Sequence, residues 1–334
     1  MRIATLTAAC VLVGCGGASS TVNPLTPTRI IAFGDAFSTV DRDGYATYTV
    51  NTSSTDATVA SRIATIYGFT LKLQTTATAV ISSGTAYSYA VGTATASDTY
   101  TQIKDSYLVN NTPGSNDLFI ITAGTQDIAT AALTNNTTAI AAAATKLTEA
   151  VQLLTNAGAK YVLVMQPINV ARTPPFLSAS GVRPVGDSWT ALINGYAQAL
   201  SYDSGTTCQS FSCLLSTKLN TAFPATTSHQ PVLLVDLMSY FNLITGTTIS
   251  LYPTGNTNTF GTYGVTNPDL VTCTTKVPNC TTSTLSTTST NQYTGTAWTY
   301  ATSVFASDYY TTAYANQLMG NYIYNYNFYR AGWR

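Results

Sequence analysis

Apolar residues are gathered into short unbroken runs separated by longer polar stretches. Thr28 to Phe33 (TRIIAF), Asp117 to Thr122 (DLFIIT), Tyr161 to Met165 (YVLVM) and Val232 to Asp236 (VLLVD) have the length and continuity of strands buried on both faces. The first run ends at Gly34-Asp35 and the second at Ala123-Gly124, both turn signals. From Thr138 to Gly158 the pattern changes: Ile140, Ala143, Leu147, Val151 and Leu154 recur at helical spacing, with Asn136 placed to cap the start and Gly158 the end. Ser188 to Tyr202 reads as a second helix. Thr311 to Phe328 reads as a last one, with Tyr314, Leu318, Ile323 and Tyr326 near one face. Strands alternating with helices predict an α/β fold, a parallel sheet covered on both sides, with its ligand site at the carboxyl ends of the strands.

The first residues follow a different logic. Met1-Arg2 precedes an apolar stretch, Ile3 to Val13, that is too short to span a bilayer and reads as a signal peptide. It ends in Leu12-Val13-Gly14-Cys15, which resembles a bacterial lipobox, so Cys15 is expected to carry lipid. Residues 1–14 are then the signal, 15–28 a Gly/Ser/Pro tether, and 29–334 one domain without an internal linker or repeat. Gly16 after the Cys, where an Asp would favour the inner membrane, points to the outer membrane.

Composition fits export. Charged residues make up only 8%, with 14 basic and 14 acidic side chains, so no basic face exists to meet nucleic-acid phosphates. Aromatics at 11% supply a core that a disordered chain would lack. Cys208, Cys213, Cys273 and Cys280 form an even set. Their short spacings favour the local disulfides Cys208–Cys213 and Cys273–Cys280, with long-range pairings left open. A zinc site is not expected, because exported thiols oxidise and His229 is the single His. No cofactor or metal is expected either. Thr272 to Thr299, rich in Thr and Ser, is expected to be a disulfide-pinned surface loop.

Three stretches at the predicted strand ends carry a resemblance. They are Phe33 to Ser38 (FGDAFS), Tyr87 to Ala94 (YSYAVGTA) and Ala123 to Asp127 (AGTQD). In this order they resemble the first three sequence blocks, F-G-D-S-x-S, N-Y-A-x-G-G-A and G-x-N-D, of the GDSL, or SGNH, esterase/lipase family. Gln166 to Pro174 (QPINVARTP), Ile193-Asn194-Gly195-Tyr196 and Leu234-Val235-Asp236 extend the likeness over nearly all of 29–334. The resemblance implies a flavodoxin-like three-layer α/β/α fold and ester hydrolysis by a Ser–His–Asp triad.

The catalytic positions depart from that pattern. Ala36 stands at the nucleophile position, and a methyl group cannot attack a carbonyl. Against the D-x-x-H-P-T block that opens the family's last helix, Phe305 to Thr312 (FASDYYTT) puts Tyr310 at the His and Ser307 at the Asp. A one-residue slip puts Asp308 at the Asp and Thr311 at the His. A Tyr, with a pKa near 10, stays protonated at neutral pH. His229 precedes the Val232 strand at its amino end, roughly 15–20 Å from the edge where the chemistry would occur. Gly92 keeps a backbone oxyanion donor, Thr93 stands where a second Gly is frequent, and Gln126 replaces the Asn by a longer amide. Gly34, Asp35, Gly124 and Asp127 match the blocks. Their expected part is turn geometry, with each Asp bonding the backbone of its own loop. Ser38 is expected to be a capping hydroxyl.

Loss of either Ser or His from such a triad costs on the order of 10⁶ in rate, and the losses are not additive. Several absent together therefore favour a pseudo-enzyme that keeps its cleft for an acyl-ester or glycan ligand and meets the membrane through its lipid. One alternative is an active ester hydrolase, with Ala36 an introduced change or Ser38 acting with Asp41, Asp43 or Tyr310. Another is a structural or adhesive surface lipoprotein.

Overall fold

The computed structural model describes residues 24–40, 47–52, 56–75, 79–134, 136–176, 208–224, 230–245, 263–265, 267–286 and 299–334. Strands β1 (Ile30–Gly34), β2 (Leu71–Leu73), β3 (Ala86–Ser88), β4 (Leu118–Thr122), β5 (Tyr161–Met165) and β6 (Val232–Val235) form an all-parallel sheet in the order β2-β3-β1-β4-β5-β6. With the three-residue edge strand β2 set aside, this is the flavodoxin-like order 2-1-3-4-5.

Each apolar run serves two layers because successive side chains leave a strand on opposite faces. Ile31 and Phe33 of β1 join Phe119, Ile121, Val162 and Val164 on one face. That face lies under α2 (Ala96–Thr101), α3 (Thr125–Thr134), α4 (Thr137–Asn156) and α5 (Phe211–Ala222). Ile30 and Ala32 join Ile120, Leu163 and Met165 on the other, under α1 (Val59–Ile66), α6 (Leu237–Thr245) and α7 (Ala313–Tyr322). A fully buried Ile or Phe stabilises such a layer by about 2 kcal/mol. Asn136 caps α4 by accepting from the Ala139 N–H at 3.2 Å, and Gly158, at φ +107°, ends the turn after it. Below the sheet Arg29 and Asp117 are joined by two side-chain bonds of 3.0 and 3.1 Å and a shorter third.

A second sheet was not foreseen from the sequence. β7 (Asn267–Val271) runs parallel to β8 (Ser303–Ser307), and β8 turns back at Asp308, φ +36°, into the antiparallel β9 (Tyr310–Thr311). The last helix therefore starts at Ala313 rather than Thr311, with Thr312 accepting from the Ala315 N–H as its cap. After Tyr322 it widens to i→i+5 turns over Ile323–Phe328.

Both local disulfides, Cys208–Cys213 and Cys273–Cys280, are formed. Asn51 fastens the second loop to the body, donating to the Pro278 and Cys280 carbonyls at 2.5 and 3.1 Å. The domain also begins earlier than residue 29. Leu25 is buried in the core and its N–H bonds the Trp333 carbonyl at 3.1 Å, so residues 25–28 are no tether. Apolar burial outweighs the entropy of a free linker there. The signal, Cys15, the 188–202 helix, His229 and residues 287–298 lie outside the described residues. No described helix is long and apolar enough to cross a membrane.

Candidate functional site

β1 and β4 end side by side, and the chain leaves each through a glycine at φ +111°. At Gly34 a Cβ would lie 1.6 Å from the Thr122 carbonyl oxygen, and at Gly124 it would lie 2.7 Å from the Phe211 ring. No other residue permits these turns, so the two glycines of the first and third blocks are structural requirements. Gln102 locks the first turn further. Its Oε1 accepts from the Gly34 N–H at 2.6 Å while its Nε2 donates to the Gly34 carbonyl at 3.1 Å.

Beyond Gly34, Asp35 accepts from the Phe37 N–H at 3.2 Å and caps a single 3-10 turn, Ala36–Ser38. Ala36, Gly92, Gln126, Tyr309 and Tyr310 meet around one depression with Asp35 at its floor. Sequence blocks more than two hundred residues apart thus converge on one edge of the sheet, the carboxyl edge. The depression encloses about 240 Å³ of empty space, but the centre of a water molecule can range over only about 10 Å³ of it. That is room for about one water.

Aromatic rings cause the closure. Tyr310 packs against Tyr48 at 5.1 Å and Tyr309 at 6.4 Å between ring centroids. The Tyr48 ring covers Gly92 so closely that a Cβ there would stand 2.2 Å from it. Burial is the main cause that pushes the Tyr310 phenol well above its ordinary value, and the nearby Tyr48 and Asp35 add to it. The phenol is therefore protonated at neutral pH and cannot act as a general base.

The remaining candidates are held elsewhere. Gln126 turns its amide along α3 to the Thr130 hydroxyl at 3.2 Å, so it is not aimed as an oxyanion donor. The Gly92 N–H makes no hydrogen bond among the described residues, so this donor is intact. Ser307 is buried in β8, and Asp308 forms an ion pair with Lys276 at 3.2 Å. Ser38 is fully buried below the edge, where its Oγ accepts from the Thr122 hydroxyl at 3.0 Å and its carbonyl from Ser88 at 2.6 Å. It ties β1 to its neighbours and caps nothing, which corrects the capping role expected from sequence. Asp41 and Asp43 lie outside the described residues.

The two matched carboxylates divide. Asp35 serves its own loop as expected. Asp127 instead accepts from the Ala96 N–H at 3.0 Å and joins the third block to the start of α2. Burial raises both, each to about 6, against the hydrogen bonds that pull them down. Sequence reasoning missed Thr125, whose buried Oγ1 borders the depression and has no hydrogen-bond partner among the described residues. Its position at the first turn of α3, right after Gly124, was the available signal. Among the described residues no group of three His, Cys, Asp or Glu side chains could hold a metal ion.

No family model and no curated protein matches the chain. Among solved structures it is similar to a member of the lipolytic protein G-D-S-L family from Veillonella parvula DSM 2008. The identity is 13% and the TM-score 0.32, over 63% of this chain and 78% of that one. A likeness at that level says nothing of the chemistry at the depression, which rests on this chain's own side chains. What those side chains establish is a flavodoxin-order α/β/α sheet whose carboxyl edge gathers the three blocks that resemble the GDSL esterases.

Proposed function

We propose that the protein is a lipid-anchored, exported GDSL/SGNH-type scaffold that does not hydrolyse esters at its sheet edge. One observation carries this reading: Ala36, Gly92, Gln126 and Tyr310 meet around space for about one water, with no hydroxyl–imidazole pair among them. An acyl chain or a sugar ring does not fit that space, so the geometry favours a structural or adhesive surface role over a ligand held in this cleft. The lipobox-like Leu12 to Cys15 supports the anchor, and Gly16 the outer membrane.

Purified protein lacking residues 1–23 is predicted to turn over p-nitrophenyl acetate and butyrate at the buffer rate. Ala36→Ser is predicted to stay there too, because a serine without its base remains on the order of 10⁶ below a working triad. Turnover above buffer that survives purification and is abolished by a serine-directed phosphonate would overturn the proposal. For the anchor, Cys15→Ala is predicted to move the full chain from the membrane to the soluble fraction.

A second reading, a working ester hydrolase, is favoured only by Thr125, whose unpartnered hydroxyl borders the depression beside the intact Gly92 donor. In that case Thr125→Val removes turnover that the parent protein has.

A further inference from the structure

A larger hollow lies at the opposite end of the sheet. The amino ends of β2 and β3, with the loop between α1 and β2, border an open hollow of about 440 Å³. That is the size of a small-ligand site, where the carboxyl edge has room for one water. Tyr67 and Phe69, both half-buried, form aromatic walls, and Thr70, Lys72, Gly84 and Thr85 complete the lining.

The walls are set in place. The Tyr67 hydroxyl donates to the Trp333 carbonyl at 3.2 Å, and its ring meets Tyr324 edge-on at 5.5 Å. Thr85 donates to the Ser82 carbonyl at 2.5 Å, which leaves its oxygen able to accept. Lys72 has no ion-pair partner among the described residues, and no carboxylate lines the hollow.

Two aromatic faces, threonine hydroxyls and one unneutralised ammonium select a particular chemistry. The C–H face of a pyranose packs on an aromatic ring, and its hydroxyls bond threonines. A carboxylate on the same ring meets the ammonium in a charge-assisted bond. A purely apolar ligand would make no use of the exposed Lys72 ammonium or of the threonine hydroxyls. A polyanion such as nucleic acid needs a row of cations that one lysine does not supply. We propose that this hollow binds a saccharide unit bearing a carboxylate, of the uronate type. The site goes beyond the scaffold role proposed above and shares no residue with the carboxyl edge.

The test titrates the folded domain with digalacturonate and with its neutral counterpart, galactobiose, followed by amide chemical shifts and by calorimetry. Saturable binding of the uronate is expected at a Kd of about 1 mM, with shifts centred on Phe69 and Lys72. The neutral disaccharide is expected to bind about tenfold more weakly. Lys72→Gln should lose that same factor for the uronate alone, and Lys72→Arg should restore it. No saturable binding up to about 10 mM, equal affinity for both sugars, or full affinity in Lys72→Gln each overturns the proposal. Lys72 is also a charge on an edge strand, where lysines block strand addition. If that is its whole role, Lys72→Gln self-associates while its sugar response is unchanged, which again defeats the site.

Discussion

At Asp35 a carboxylate is buried at the floor of a depression with room for about one water. Burial pushes its pKa up to about 6, while its Phe37 and Thr122 partners only partly offset the cost. In the unfolded chain it titrates near 3.8. The fold therefore holds the proton more tightly than the unfolded state, and stability is greatest below the unfolded value and falls as pH rises through about 6. The loss at neutral pH is on the order of 3 kcal/mol. Asp35→Asn keeps an acceptor for the Phe37 N–H and removes the charge. It is predicted to match the parent protein at pH 4 and to exceed its unfolding free energy by about 2 kcal/mol at pH 7. Denaturant titrations at the two pH values check this; equal destabilisation at both would show that the side chain's fit, not its charge, decides. Tyr310 obeys the same physics: burial keeps its proton on, so the phenol supplies no base at neutral pH.

The elements that shape the edge depend on contacts between distant segments. Gly34 ends β1 in a conformation reserved for glycine, and Gln102, 68 residues later, satisfies both its N–H and its carbonyl. Gln102 opens a stretch of i→i+5 turns, Gln102–Tyr107, and this widening sits where the side chain makes that contact. Gln102→Ala leaves the buried Gly34 N–H without its side-chain partner, while the Gly34 carbonyl keeps the Val91 N–H at 2.9 Å, and is predicted to cost about 1–3 kcal/mol, read from the urea midpoint. An unchanged midpoint would mean that water replaces the amide. The β8–β9 hairpin matters in the same way. Its turn at Asp308 brings Tyr309 and Tyr310 over Ala36, and it formed where the sequence alone predicted the start of a helix. Tyr310–Thr311 pairs with β8 because the Thr312 hydroxyl and N–H both bond the strand's first residues, which delays the helix by two residues.

Across the whole molecule two cores flank one sheet, and the disulfides sit outside both. Cys273–Cys280 closes a short loop held to the body through Asn51. Reduction of a loop of this length removes about 2 kcal/mol of unfolded-state restraint. Thermal melts in reductant are predicted to shift down by a few degrees while the far-ultraviolet dichroism of the folded state is unchanged. Loss of the folded signal on reduction would place that loop inside the core's cooperative unit. The amino-acid sequence by itself determined the four long strands and the α4 helix with its caps, favoured both local disulfides, and put Ala36 and Tyr310 where the resembling blocks have Ser and His, because each depends on neighbours in the chain or on which residues exist at all. The three-residue strands β2 and β3 carry too little periodicity to be read, and β7 to β9 offer only the three-residue apolar run Val304 to Ala306 to announce them. Only the tertiary structure decided the strand order, the burial of Ser38 beneath Thr122, the reach of Asp127 to Ala96 and the closing of the edge by Tyr48 and Tyr310. These are contacts across tens to hundreds of residues, fixed by which surfaces pack together, and no local pattern encodes them.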